Sequence, residues 1–407
     1  MADGTQTSSA DTSVEPAAEA TDDGGSETTT VEESPTDDAT SEAASDEARF
    51  VLRGELPLTT ADVNALIDFI EEDTGRPFLR PPVIVAQTTE AFVDGLKEDL
   101  DEFREEADIT VRALQSLGLT TQGVGEVTEA FATLLTSPEG IQGYYDTDTD
   151  ELYVPIDALA DDEFRSLLVH ELTHALDGQH NNLAIIDDLV DEAEVTGNYE
   201  PVIALQAVVE GRATSVQNRW MAANGVTPEV PDDLGAIEDV PPVMVLSLSL
   251  PYAFGEQFIE ANGGAAETWD LVATPPPSSE NFMVFGGVPA GEAIIDVATP
   301  EADGPVLDEA VYGAADIFTW LLGESLEPAP ELIFPAFTAI DGWAGGKAVL
   351  WGDDVESCTR IALAADSEPD LNELRDAIDP WVQAGPNRSS TIEGDLLVVT
   401  GCAAYVP

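Results

Sequence analysis

The sequence predicts an α+β protein in which helices dominate and small strands pair mostly in antiparallel fashion. Apolar residues recur at helical spacing through several long segments between residues 59 and 323. Shorter runs of branched and aromatic residues, which predict strands, are concentrated between residues 346 and 401. The chain shows no internal repeat of the kind that indicates a solenoid or a propeller.

The first third of the chain predicts three helices and one strand. Thr59 precedes a segment whose apolar residues share one helical face, and threonine is a favoured helix cap. Further helical patterns occupy residues 88–117 and 124–135. A short strand is predicted at residues 83–85, directly after two prolines.

Residues 143–154 predict a hairpin, because aromatic and branched residues flank a turn of alternating Asp and Thr. This acidic turn lacks the glycine and the distal glutamate of an EF-hand loop, so a plain turn is favoured over a Ca2+ site. A helix follows from Asp161 to Leu176, with Asp177-Gly178 as its expected end. Further helices are predicted at residues 201–222, 313–323 and 369–383. A separate apolar segment opens at Pro241-Pro242. Further strands are predicted at residues 346–351, 356–363 and 392–401.

The chain divides at about residue 48. Residues 1–48 carry 14 acids, no Lys or Arg, and many Ser, Thr, Ala and Gly, so they predict a disordered tail. Residues 49–407 predict one folded domain with an α+β subregion at about 325–407. Such acidic tails often separate a domain from an anchor, so we expect an upstream signal or lipid-anchor segment and a cell-surface location. The alternative is a cytoplasmic protein with a solubilising tail.

The charge balance is strongly acidic, with 81 Asp and Glu against 14 Lys and Arg and a net charge of -67. Self-repulsion of this size opposes a compact state, but molar salt screens it within roughly 3 Å. The composition therefore predicts adaptation to a very salty solvent; a surface for a basic partner is the alternative. Nucleic acid is excluded as a partner because its phosphates would be repelled. No apolar run is long enough for a transmembrane helix.

The two cysteines, Cys358 and Cys402, both lie in segments that predict strands. A disulfide between them would suit an oxidising exterior. The sequence alone leaves two free buried thiols as an equal alternative.

The motif that carries chemistry is His170-Glu171-Leu172-Thr173-His174. Residues four apart share one face of a helix, so the two imidazoles can bind one metal ion while Glu171 projects beside them. A catalytic zinc takes three protein ligands and a water, whose pKa it lowers to about 7. Glu171 can then accept the proton of that water as general base. All three histidines of the chain fall within residues 170–180.

Two residues compete for the place of third ligand. Glu210 sits in an apolar helical stretch in which an isolated acid needs a partner, and Gly211 beside it would let that helix pack closely against the HExxH helix. His180 has the spacing of a metzincin ligand, although Asp177 replaces the expected glycine. His180 reaches the metal only if the chain turns back at Asp177-Gly178, so Glu210 is favoured. Tyr252 and Arg212 are the candidates for stabilising an oxyanion.

Several segments resemble a known family, the HExxH zinc metalloproteins of bacteria and salt-loving archaea, many of which are surface lipoproteins. The run from His170 to His180 is similar to the family signature HEL[TV]HALQDQH, with Asp-Gly in place of Gln-Asp. The similar segments are residues 143–146, 152–154, 209–213, 277–280 and 341–346.

The resemblance implies a zincin-like metallopeptidase fold and a gluzincin-like site. His170, His174 and Glu210 are then the zinc ligands and Glu171 is the base. In gluzincins an edge strand beside the site pairs with an extended peptide substrate, and residues 152–154 are the expected strand.

The sequence therefore predicts a zinc metallopeptidase that cleaves peptide or protein substrates in high salt, outside the cell or at its surface. Two alternatives stay open: a surface protein that keeps the metal without turnover, and a hydrolase of another amide bond. Glu171 argues against the first, because a purely structural metal site needs no acid at that position.

Overall fold

The computed structural model of the protein describes residues 47–137, 140, 142–157, 159, 161–227, 235–284 and 294–407. Residues 1–46 of the predicted tail lie outside these segments, so its disorder stays a prediction. The predicted α+β class is confirmed, with helices as the larger part of the structure and two separate sheets. None of the helices in these segments is long and apolar enough to cross a membrane.

The helices are α1 (Thr60–Thr74), α2 (Thr89–Gly95), α3 (Lys97–Leu117), α4 (Val124–Leu135), α5 (Asp161–His180), α6 (Ile185–Thr196), α7 (Glu200–Asn224), α8 (Pro242–Ala261), α9 (Glu280–Met283), α10 (Ala314–Leu322), α11 (Pro330–Ile340) and α12 (Glu368–Ala384). The strands are β1 (Val51–Arg53), β2 (Val83–Gln87), β3 (Tyr144–Asp146), β4 (Glu151–Pro155), β5 (Val306–Val311), β6 (Trp343–Gly352), β7 (Glu356–Ala365), β8 (Arg388–Glu393) and β9 (Leu396–Ala404). The predicted cap at Thr59 is present, since its side chain accepts the N–H of Asp62.

The N-terminal sheet has the order β1-β2-β4-β3. Strands β1, β2 and β4 are parallel, and only β3 is antiparallel to its neighbour, so the expectation of mostly antiparallel pairing is wrong for this sheet. The reason is the connection: helices separate β1 from β2 and β2 from β4, and parallel neighbours need such crossovers. The expectation that residues 152–154 form an edge strand is also wrong, because β4 pairs on both sides and the edge strands are β1 and β3.

The C-terminal sheet is antiparallel throughout, with the order β5-β6-β7-β9-β8. Its two central strands are ten residues long, so the strands are larger than expected. The strand predicted at residues 392–401 is two strands, because Gly394 adopts a φ of +66° and allows a tight turn. Cys358 and Cys402 face each other on β7 and β9 and form a disulfide, with Cα atoms 4.1 Å apart.

Helix α5 does not end at Asp177-Gly178, and this prediction is wrong. The helix runs on to His180. Gly178 serves packing instead of termination, because a Cβ at this position would overlap the hydroxyl of Tyr145 on β3. The apolar side of α5, formed by residues such as Leu168 and Leu172, is buried against α1 and the N-terminal sheet.

Helices α7 and α8 cross at two glycines. A Cβ on Gly211 would overlap the backbone of Gly255, and a Cβ on Gly255 would overlap the carbonyl oxygen of Ala207. Gly211 therefore faces α8, which corrects the expectation that it packs against the HExxH helix. The close approach brings residues of α8 next to Glu210 of α7.

We expect Gly255→Ala to lower the free energy of unfolding by about 1–3 kcal/mol, because the backbone of α7 cannot move away from the added methyl without disturbing its other contacts. Gly125 of α4 is the matched control, since a Cβ there meets nothing within 4 Å. Gly125→Ala should leave stability unchanged or raise it by about 0.5–1 kcal/mol. Urea unfolding at constant high salt measures the free energy of unfolding of both variants. Equal effects of the two substitutions would contradict the close approach of α7 and α8 at these glycines.

Candidate metal centre

Helix α5 places His170 and His174 on one face, one turn apart. Three acids in its first turn suit the positive end of the helix dipole. Both histidines are buried, with 8% and 7% of their surface exposed. Their rings stand edge to face with centroids 4.7 Å apart, and their Nε2 atoms are 3.0 Å apart.

Helix α7 adds Glu210 to this pair. Its Oε2 lies 3.2 Å from the Nε2 of His170 and 3.4 Å from the Nε2 of His174. Among the residues that the structure describes, these three side chains form the one group of His, Cys, Asp and Glu that can hold a metal ion. Glu210, an acid within an apolar helix, is thus paired with two histidines of the neighbouring helix α5.

The three atoms are placed so that they could hold a metal ion. Atoms that each lie 2.0–2.2 Å from one tetrahedral ion such as zinc are roughly 3.3–3.6 Å apart, and the three separations here run from 3.0 to 3.4 Å. Two imidazoles and one carboxylate are also a donor set of catalytic zinc sites, which leave one position for water.

The charges within the group support one another. Burial disfavours the ionised form of Glu210, but the adjacent His174 and His170 outweigh it and lower the pKa of this carboxyl. Burial likewise disfavours the imidazolium of His174, but Glu210 overcomes this and raises its pKa. Glu210 is thus held as a carboxylate, the form in which a glutamate can bind a metal ion.

Glu171 has a different environment. It is 4% exposed, and its Oε2 has no hydrogen-bond partner among the described residues. Burial raises the pKa of this carboxyl to about 7. Gly143, which directly precedes β3, lies against it: a Cβ at Gly143 would be 2.9 Å from Oε1 of Glu171. The carboxyl therefore occupies a narrow space that only a glycine leaves open.

The group opens onto a cleft of about 440 Å³. His170 and Glu171 line its floor, and Tyr252 of α8 lines its wall. The ring of Tyr252 stacks on His170 with a centroid distance of 6.1 Å. Burial raises the pKa of its phenol, and the charges of Glu210 and Glu171 add to this effect. Of the two candidates for oxyanion stabilisation, the structure therefore brings Tyr252 to the site.

Arg212 lies elsewhere. Its side chain is fully buried, donates to Asp177 of α5 at 2.5 Å and to the carbonyl oxygen of Thr268 at 2.5 Å, and packs on Trp269. It does not line the cleft. The pair joins α5 to α7 within one turn of His174 and of Glu210. This ion pair explains why Asp177 can be buried within α5 without ending the helix.

His180, the rival third ligand, lies at the far end of α5. Its Nε2 contacts the carbonyl oxygen of Pro77 at 2.8 Å, and its ring packs against Trp269. It is not part of the group formed by His170, His174 and Glu210. Because α5 continues instead of turning back, His180 is carried away along the helix axis.

Comparison with protein-family models, curated proteins and solved structures gives no match for this chain. Sequence reasoning missed the contact between Gly143 and Glu171 and the ion pair between Asp177 and Arg212. The first had a signal, since Gly143 opens the predicted hairpin. The second had none beyond two opposite charges in apolar helices.

We expect Arg212→Met to lower the free energy of unfolding by about 3–5 kcal/mol, because it leaves the carboxylate of Asp177 buried without a counter-charge. Adding Asp177→Leu should recover most of this loss, since an apolar pair often replaces a buried ion pair without loss of stability. Chemical unfolding measures both variants. The control is Arg375→Met, which breaks an exposed pair with Asp376 and should change little. If Arg212→Met alone were as stable as the parent, the assigned role of the buried ion pair would be contradicted.

Proposed function

We propose that the protein is a zinc-dependent hydrolase, and specifically a peptidase, with His170, His174 and Glu210 as ligands. The observation that carries the proposal is the convergence of their three ligand atoms next to Glu171, a buried carboxyl with a free oxygen, at the floor of an open cleft. A binding protein has no use for such a carboxyl. A hydrolase of another amide bond would use the same chemistry.

Each residue has a role in this proposal. A zinc ion bound by the three ligands supplies Lewis-acid activation of water and of the substrate carbonyl. Glu171 accepts the proton of the attacking water and passes it to the leaving amine. Gly143 keeps the space that this carboxyl needs. Tyr252 donates its phenolic hydrogen to the oxyanion, as its position beside His170 allows.

The edge strand supports a peptide as substrate. In the gluzincins that the sequence resembles, an extended substrate adds to the strand beside the site. Here β3 is one of the two edge strands of the N-terminal sheet, and Tyr145 of β3 packs on Gly178 of α5. We therefore assign the role to β3 in place of residues 152–154. The approach of β3 to α5 holds this edge beside the catalytic helix.

We also propose that the enzyme works outside the cell or at its surface, in high salt. The disulfide between Cys358 and Cys402 is compatible with an oxidising exterior. The net charge of -67 supports a salty solvent.

Metal analysis of protein purified in high salt tests the ligand set. We expect about one zinc per chain in the parent, loss of zinc in Glu210→Ala, and full retention in His180→Ala. The two variants are matched because each removes one side chain with metal affinity from the same region. Loss with His180→Ala alone would transfer the third-ligand role to His180. A parent chain that stays metal-free after zinc is supplied would overturn the hydrolase proposal.

Turnover tests the roles of Glu171 and Tyr252. Glu171→Gln should keep zinc and lower kcat about 10²–10⁴-fold, because the general base is lost. Tyr252→Phe should keep zinc and KM and lower kcat about 10²–10³-fold, because one oxyanion donor is lost. Tyr199→Phe, which changes a half-exposed tyrosine outside the cleft, is the control. Full turnover in Glu171→Gln would contradict the role of Glu171 as general base.

A further inference from the structure

The cleft is nearly free of charge in a chain that is otherwise crowded with it. The sequence has 81 acids, yet Glu171 is the one acid among the described residues that line the cleft, and none of them is Lys or Arg. Among the described lining residues, Glu171 is therefore the one side chain that could pair with a charge on a substrate.

Besides His170 and Tyr252, most of the uncharged side chains of the lining are apolar, with Gln142, Gln217 and Ser249 as the polar ones. The apolar side chains come from α4, α5, α8 and the short 3₁₀ helix Gly235–Asp239, and they are Leu134, Leu135, Leu167, Ile237, Val245 and Leu248. Leu248 is 44% exposed, so folding has left a large apolar side chain in solvent at this wall. It precedes Tyr252 by one helical turn and shares its face of α8. A group that rests on Leu248 therefore lies beside Tyr252 and His170.

We infer that the cleft binds a peptide through one large apolar side chain, of the leucine or phenylalanine class, next to the bond that is cleaved. This inference rests on the proposed function and names its substrate class. An apolar side chain loses water from its own surface and from Leu248, which contributes about 25 cal/mol for each Å² buried. A volume of about 440 Å³ admits such a side chain together with the adjoining backbone.

Charged side chains are rejected for two reasons. A side chain of either sign would lose its water against the apolar part of the lining. The one carboxyl that the described lining offers to a cation is Glu171, which the proposed reaction uses as base. A carboxylate would in addition meet the carboxyl of Glu171, which lines the cleft. Molar salt adds to the preference, because it screens charge recognition beyond roughly 3 Å but does not weaken apolar burial.

Matched peptides that differ at one position, Leu, Ala, Asp or Lys, test the inference at molar KCl. Binding to the zinc-loaded Glu171→Gln protein is measured by fluorescence anisotropy, and kcat/KM is measured with the parent. We expect the affinity and kcat/KM for the Leu peptide to exceed those for the Ala peptide by about 10–200-fold, and those for the charged peptides by at least as much. Cleavage without any preference among the four would overturn the inference and leave the proposed function intact. Preferential binding of the Leu peptide without cleavage by the parent would support the inference about the cleft and overturn the proposed function.

Leu248→Arg tests the wall itself. We expect this substitution to weaken binding of the Leu peptide about tenfold or more. The affinity for the Asp peptide should rise relative to that for the Leu peptide. Leu332→Arg is the matched control, since Leu332 is 46% exposed on α11 and lies outside the cleft. Because both leucines are half-exposed, both variants should fold, which a thermal unfolding curve verifies. An unchanged order of peptides in Leu248→Arg would overturn the role of this wall.

Discussion

Three consecutive residues of α7 contact three different neighbours, and the arrangement of the site depends on this. Glu210 faces the histidines of α5, Gly211 touches the backbone of α8, and Arg212 is paired with Asp177. Successive residues of a helix point about 100° apart, so adjacent positions can serve separate interfaces. The glycine contact fixes how close α8 comes, and the ion pair fixes how α7 is aligned with α5. The positions of Glu210 and Tyr252 follow from these two contacts.

The distribution of charge follows a consistent pattern. The excess of acid is at the surface, where water and salt screen it. The buried charges have partners: Arg212 meets Asp177, and Arg112 meets Asp108 while packing on Tyr405. Single charged-group atoms without a hydrogen-bond partner among the described residues occur on Asp73, Asp177, Arg212 and Glu171, and of these four residues Glu171 is the one that lines the cleft. A buried polar atom without a partner is costly, so its retention beside the histidines is in keeping with a chemical role.

Support for the site comes from both sheets. The N-terminal sheet lies against α5, and its edge strand approaches the helix where Gly178 leaves room. The C-terminal sheet carries the disulfide and packs on α10 and α12. A rigid frame of this kind keeps ligands that come from two helices in one geometry, which a metal site requires.

The sequence by itself determined the local features. The helical face of α1, the length of α4 and the shared face of His170 and His174 all follow from residue spacing, which depends only on the geometry of a helix. The order of the N-terminal sheet did not follow, because strand neighbours are set by crossovers between distant segments. The end of α5 was misjudged for a related reason: Gly178 is required by Tyr145, which lies 33 positions earlier in the chain. The sequence favoured Glu210 over His180 as the third member of the site without excluding either. Only the packing of α7 against α5 brought Glu210 to the histidines, since long-range contacts decide which of two suitable side chains reaches a given point.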